Sequence, residues 1–305
     1  MKKLSRREFL IGGGKLGLAY MGLSMLPRTG LLNAVTDLGH DLPDLAVAKG
    51  GDPASNTLKA LQALGGIERF VKKNDKVAVK PNPITTSGPE VAANTNPSVV
   101  ETVVKLCRQA GASDVVVLSH DDIRGFEGNG IQDAANRAGG RVVAATNREL
   151  YRNVQVLRGK ILREVDIIGD ILDADVFINV PIVKHHSQAT VTLSMKNLMG
   201  INWNRRYFHQ YGLHQCIADL STAVKTDLIV MDANRILLTN GPSGPGQTRE
   251  EKTVIAGTDP VAIDAYATTL LDRNPNDIDH IRFAYELGVG EMDLNKISIK
   301  EISVS

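Results

Sequence analysis

Residues 175–219 read DVFINVPIVKHHSQATVTLSMKNLMGINWNRRYFHQYGLHQCIAD. The stretch opens on a β-branched apolar run, Val176 to Val180, which is short enough to be a strand buried on both faces. Past its end come Lys184, His185 and His186, then Lys196 and Asn197, then Trp203, Arg205, Arg206, Tyr207, Phe208, His209, Tyr211 and His214. Titratable and aromatic groups crowded behind a core strand mark a ligand crevice, because the carboxyl ends of strands in an open α/β sheet border one.

The same grammar repeats outward from this stretch. Short apolar runs at Leu45–Ala48, Lys76–Val79, Val115–Leu118, Val142–Ala145, Leu228–Met231, Val254–Ala256 and Ile297–Val304 read as strands. Amphipathic segments at Asn56–Val71, Pro97–Ala110, Ile131–Ala138, Gly212–Val224, Pro260–Asp272 and Ile278–Leu287 read as helices. Two starts are well marked, since Asn96-Pro97 and Asp259-Pro260 place a capping side chain before a proline whose missing N–H costs nothing there. The alternation predicts an α/β fold: a mostly parallel sheet with helices on both faces, three layers deep, with room for a division into two lobes. In this register polar residues gather just past strand ends: Lys80 and Asn82, His120 with Asp121 and Asp122, Lys184 to His186, and Asp232 with Asn234.

The amino terminus reads as an address. Ser5-Arg6-Arg7-Glu8-Phe9-Leu10 followed by a weakly apolar, glycine-rich run matches a twin-arginine (Tat) export signal. Lys15 and the glycines interrupt that run, which argues against a permanent membrane span. The expected organisation is a signal over residues 1–30, a linker over 31–43 and an α/β domain over 44–305. The expected location is periplasmic or otherwise extracytoplasmic, with the Tat translocase as partner during export of the folded chain. Ala46-Val47-Ala48 has a small-x-small cleavage pattern but falls inside the first strand.

Composition narrows the chemistry. The net charge of +1 is near neutral, and the basic residues concentrated in the first thirty positions leave a mildly acidic body, so nucleic acid is not an expected partner. Cys107 and Cys216 are too few for an all-cysteine iron–sulfur cluster or a four-cysteine zinc site. Cys107 shares an apolar helix face with Val99, Val100, Val103 and Val104, and a disulfide to Cys216 stays open in an exported protein.

His186 and Lys196 lie ten residues apart across a strand-to-helix turn, where His209 or His214 can fold back beside them. A neutral imidazole serves as general base or metal ligand, and a desolvated lysine binds a carboxylate or becomes a nucleophile. The Thr190–Asn197 segment fits either period and is read as helix. His209 and His214, five apart, are about 140° from each other round a helix and cannot form a one-face HExxH pair. Trp203–Tyr211 suits either a flap whose Arg206 binds an anion or a subunit interface. Gly241–Gly246 lacks the Gly-Lys-Ser/Thr of a P-loop, and no GxSxG elbow is present.

These residues resemble the bacterial and archaeal proteins grouped as domain of unknown function 362. The matching pieces include Val79-Lys80-Pro81-Asn82, Asp175–Pro181 with Lys184 and His186, Met195–Gly200, Leu213–Asp219, Asn240–Gly244 and Ala256–Ala265. Many members carry ferredoxin-like cluster motifs, which this chain lacks, so no iron–sulfur cluster is expected. More remotely, the layout resembles the nickel-pincer lactate racemase family, in which such residues act as acid/base histidines, a cofactor-attached lysine and a nickel-ligating histidine. That family's Ser-Gly-Gly run before the lysine is here Thr192-Leu193-Ser194-Met195. The resemblance implies an enzyme of racemase or isomerase type acting on a small anionic molecule, with a preloaded cofactor or metal, nickel being one option. His120, His186, His209 and His214 are the acid/base candidates. Lys184, Lys196 and Asn197 are the cofactor candidates; Lys80, Asn82 and Arg206 are the substrate candidates. The rival expectation is a non-catalytic periplasmic ligand-binding or redox-accessory protein.

Overall fold

The computed structural model describes residues 42–305. The expected export signal and nearly all of the linker lie outside them. The strands, in chain order, are β1 (Leu45–Lys49), β2 (Lys76–Lys80), β3 (Asp114–Ser119), β4 (Arg141–Ala144), β5 (Tyr151–Gln155), β6 (Glu164–Ile168), β7 (Val176–Asn179), β8 (Ile182–His186), β9 (Thr190–Thr192), β10 (Leu228–Leu237), β11 (Thr248–Gly257) and β12 (Ile299–Ser303). The α-helices are α1 (Pro53–Ala63), α2 (Pro97–Gln109), α3 (Ile123–Gly128), α4 (Ile131–Arg137), α5 (Gly169–Asp173), α6 (Ser194–Asn197), α7 (Arg205–Tyr211), α8 (Leu213–Ala223), α9 (Pro260–Thr269) and α10 (Asp279–Glu286).

One sheet runs β12-β1-β11-β10-β7-β2-β3-β4. Strands β10, β7, β2, β3 and β4 are mutually parallel, whereas β11 is antiparallel to both its neighbours. Strand alternation divides the core into two layers. Val77, Val79, Val115, Val117, Val176 and Ile178 pack with α1, α2 and α4. Ala78, Val116, Leu118, Phe177, Ile229 and Met231 pack with α8, α9 and α10 on the other face. The expected three-layer, mostly parallel fold is therefore present, with β5 and β6 as a separate antiparallel pair.

Both marked caps form: Asn96 accepts from the Ser98 N–H, and Asp259 accepts from those of Val261 and Ala262. Cys107 and Cys216 are buried and free. The first helix begins earlier than expected, at Pro53 under an Asp52 cap, and ends at Ala63. The largest departure follows β7. Residues 182–186 are strand β8, which pairs with β10 and turns back into β9, so Thr190–Asn197 is half strand and half helix. The ambiguity of period reflected a real change of structure at Leu193.

This topology fixes where a ligand can sit. From β2 the chain steps outward through β3 to β4; from β7 it steps the other way to β10. Strands β2 and β7 therefore flank the point where the winding reverses, and a crevice opens beyond their carboxyl ends. Lys80 and Asn179, the last residues of these strands, are register partners there.

Candidate functional site

A cleft of about 270 Å³ opens above that pair. Its floor is a chain of amides and amines. Asn197 accepts from the Lys80 Nζ at 3.0 Å and the Asn82 Nδ2 at 2.8 Å, and its own Nδ2 donates to the Asn179 Oδ1 at 2.8 Å. Lys80 also donates to the Pro81 carbonyl at 2.6 Å. Lys184, fully buried, gives its three protons to Asn82 Oδ1, the Ala93 carbonyl and the Pro242 carbonyl.

Strand geometry sorts the Lys-His-His run. With a period of two, Lys184 and His186 point to the cleft while His185 points away. His185 instead accepts at Nδ1 from the Gly241 N–H at 3.1 Å. Gly241 is needed for this approach, since a Cβ there would lie 1.8 Å from the His185 carbonyl oxygen. His186 Nδ1 accepts from the backbone N–H groups of Gln188 and Ala189 at 3.1 and 3.0 Å. A neutral ring with an accepting Nδ1 carries its proton on Nε2, so His186 presents a fixed N–H donor.

Lys196 and Asn197 reach the cleft from the single turn α6, which is held at its start by a buried carboxylate. Asp264 of α9 accepts from the Ser194 N–H at 2.7 Å and the Met195 N–H at 3.0 Å. Gly200 follows at the wall, where a Cβ would come within 2.7 Å of the Lys80 Nζ and 3.0 Å of the Ser119 hydroxyl. The other wall is α7. Arg205 and His209, one helical turn apart, both line the cleft, whereas Arg206 is rotated about 100° from Arg205 and is exposed. Arg205 donates to the Asp121 Oδ1 at 3.0 Å, and the Ser119 hydroxyl donates to Oδ2 at 2.6 Å.

Seven of the ten candidate residues thus converge: Lys80, Asn82, Lys184, His186, Lys196, Asn197 and His209. Three stand elsewhere. Arg206 faces outward. His120 lies behind Asp121, where its Nδ1 meets the Tyr151 hydroxyl at 2.7 Å; that hydroxyl donates onward to the Ala145 carbonyl at 2.6 Å. His120 must therefore be the donor in the pair. His214 stacks on buried His280, with their Nδ1 atoms 3.3 Å apart. Asp121 and Arg205 belong to the cleft and were not among the candidates, although both stand in polar runs already visible after strands.

A family model described as domain of unknown function (DUF362) matches residues 77–269, more than half of the chain. The chain belongs to this family. It is also 28% identical over 248 residues to a thylakoid-associated protein of Synechocystis sp., an alignment covering 75% of this chain and 73% of the relative. Among solved structures, the lactate racemase apoprotein from Thermoanaerobacterium thermosaccharolyticum matches with a TM-score of 0.42 and 11% identity, covering 79% of this chain. The DUF362 chain spans 56% of the length of that structure's chain.

Electrostatically, this DUF362 cleft has a surplus of cations. Lys80, Lys184, Lys196 and Arg205 face it, and Asp121 is the acid that lines it with them. Burial pulls Lys80 down to about 7, Asp121 opposing and Arg205 and Lys196 adding to the fall. Burial also lowers Lys196 to about 8, with Arg205 contributing. Burial and Lys196 pull Lys184 downward, but the three oxygen acceptors around its nitrogen fix it as the ammonium form. Burial would raise Asp121, but the Lys80 and Arg205 charges outweigh it and hold the carboxyl below its usual range. His186 falls to about 3, from burial and then the charges of Lys196 and Lys184. Burial and the nearby cations Lys196 and Arg205 lower His209 as well.

The donor set does not suit a metal-bearing cofactor. His186 has committed Nδ1 to two backbone N–H groups and carries a proton on Nε2, and His214 is turned toward His280. No group of three His, Cys, Asp or Glu side chains placed to hold a metal occurs among the described residues. The side chains of Leu193 and Met195, just before Lys196, are fully buried in the core.

Proposed function

We propose that this DUF362 chain is an exported enzyme that binds a small carboxylate-bearing molecule in the cleft and moves protons on it, as a racemase or isomerase does. One observation carries the reading: three lysines and an arginine converge on a cleft of about 270 Å³ at the sheet's reversal point, faced by Asp121. Burial pushes these amines toward their neutral forms, and a bound carboxylate would restore their charge. Arg205 would grip the carboxylate with the guanidinium N–H groups not used on Asp121, and the His186 Nε2–H would add a neutral donor. His209 would be the proton carrier. It has one side open to solvent and its depressed pKa keeps it neutral, as a general base requires.

Export is supported by the twin-arginine pattern at Ser5–Leu10 and is in keeping with a thylakoid-associated relative. No helix among the described residues is long and apolar enough to cross a membrane.

The reaction class can be tested directly. The purified full chain is incubated in D2O with a panel of small 2-substituted and 2-oxo carboxylic acids, and NMR follows loss of hydrogen at C2 and C3. Deuterium should enter at one of these carbons in at least one acid, and His209→Gln should slow that exchange at least ten-fold. Saturable binding across the panel with no exchange would make the chain a non-catalytic ligand-binding protein.

A further inference from the structure

The three cleft lysines are chemically distinct. Lys184 gives all its protons to oxygen acceptors, so its nitrogen is a locked donor with no lone pair to offer. Lys80 is tied to the Pro81 carbonyl and Asn197. Lys196 has no hydrogen bond or ion pair among the described residues, although it is partly buried and its neighbours include Arg205. A partly desolvated amine beside a fixed cation, with no protein group accepting its protons, is the arrangement that frees a lysine lone pair for nucleophilic attack. A second observation points to the same place. Thr192 Oγ1 is buried, with 3% of the residue exposed, lines the cleft and has no hydrogen-bond partner. A buried hydroxyl without a protein partner beside a polar cleft is a donor and acceptor that a ligand oxygen can satisfy.

From this geometry we propose that Lys196 forms a reversible imine with the carbonyl carbon of a small 2-oxo acid held in the cleft. The assignment rests on the anion-binding reading above and adds to it a covalent step and a substrate class. The Lys196 nitrogen attacks the carbonyl carbon, the carbonyl π bond breaks, and the oxygen takes up a proton to give a carbinolamine. The Thr192 hydroxyl pairs with that new hydroxyl group. A proton leaves nitrogen, the hydroxyl departs as water after protonation, and a C=N bond replaces C=O. No oxidant or reductant is consumed. Protonation of the imine at nitrogen then makes it an electron sink for loss of the neighbouring C–H proton to His209. The acid's carboxylate sits against Arg205 and the His186 Nε2–H.

The test uses pyruvate, the smallest 2-oxo acid, as probe and sodium cyanoborohydride as trap, at pH 8, on the full chain. The expected result is a single adduct, heavier than the chain by the mass of the probe less one oxygen atom, mapped by peptide mass spectrometry to Lys196. Oxalate offers two carboxylates and no electrophilic carbonyl, so an excess of it should suppress labelling of the unmodified protein at least five-fold. Lys196→Arg should lose the adduct while still binding oxalate, measured by calorimetry. Labelling spread over exposed lysines such as Lys59, or no labelling while oxalate binds, would overturn the imine and leave the anion site standing. Failure of oxalate and pyruvate alike to bind would overturn both.

Discussion

Buried charge appears in this protein in two forms, and they behave differently. In the scaffold, Asp219, Asp232 and Asp264 are each buried, and each takes two backbone N–H groups: Ile161 and Leu162, Asn96 and Asn234, Ser194 and Met195 respectively. In the cleft, the buried lysines Lys80 and Lys184 lean on carbonyl and amide oxygens, and basic groups outnumber acids. The scaffold carboxylates act as stitches complete within the protein. The cleft amines are completed by something that binds there. A pair of buried backbone N–H groups is a fixed demand that the fold meets, while a cluster of cations is a demand that a ligand meets.

The sharpest way to break this contrast is to cut a stitch. Asp264→Ala leaves the Ser194 and Met195 N–H groups unpaired in the core, and each such loss costs about 1–3 kcal/mol. We expect a stability loss of about 3 kcal/mol by urea denaturation, with the position of Lys196 lost as well. The pH dependence has a definite sign. Burial raises Asp264 to about 7, above its unfolded value of about 3.9, so the folded state holds the proton more tightly. Its contribution is fully present below pH 4 and is lost as the pH rises through about 7. The slope over that window should be missing in Asp264→Ala. An unchanged denaturation midpoint would remove Asp264 from the class of stitches.

The cleft lysines give the opposite sign. Lys80 and Lys196 are depressed to about 7 and about 8, below an unfolded value near 10.4. Their contribution is present above that unfolded value and is lost as the pH falls through the folded values. Ligand-free protein should gain stability between pH 7 and 9.5, by about 1 kcal/mol per pH unit for one titrating lysine. Lys80→Met should roughly halve that rise, leaving the share of Lys196. Because an anion favours the charged amines, its binding at pH 8.5 should take up protons. Calorimetry in buffers of different ionisation enthalpy measures the number, and an uptake of zero would separate the lysines from the ligand.

The sequence makes some of this arrangement legible and hides the rest for identifiable reasons. The run Val176–Val180 declares a strand buried on both faces, and the polar groups past it declare the crevice, because those two statements depend only on local pattern. His186 and Lys196 read as neighbours for the same reason. The β8–β9 hairpin is hidden because its inward face carries Lys184 and His186 rather than apolar residues, so a functional strand does not look like one. β5 escapes too, since Arg152, Asn153 and Gln155 give no apolar alternation. His214 looks equivalent to His209 in sequence. Only tertiary packing reveals that α8 turns it toward His280.

The smallest change is also the most discriminating, because it asks which of two adjacent arginines serves the cleft. A helix of seven residues presents two turns, and a shift of one position rotates a side chain by about 100°. Asn204 fixes the start of α7 by accepting from the Tyr207 N–H at 3.2 Å. That start sets Arg205 toward Asp121 and leaves Arg206 to solvent. Arg205→Ala should weaken oxalate binding about ten-fold, the worth of a charge-assisted hydrogen bond of about 1.5 kcal/mol. Arg206→Ala, which removes the same charge a few ångströms away, should change it less than two-fold, and raising the salt concentration should erase even that residue of long-range attraction. If the two variants lose affinity equally, binding responds to total charge near α7 rather than to a guanidinium held by Asp121. The cleft would then be an electrostatic basin rather than a built site.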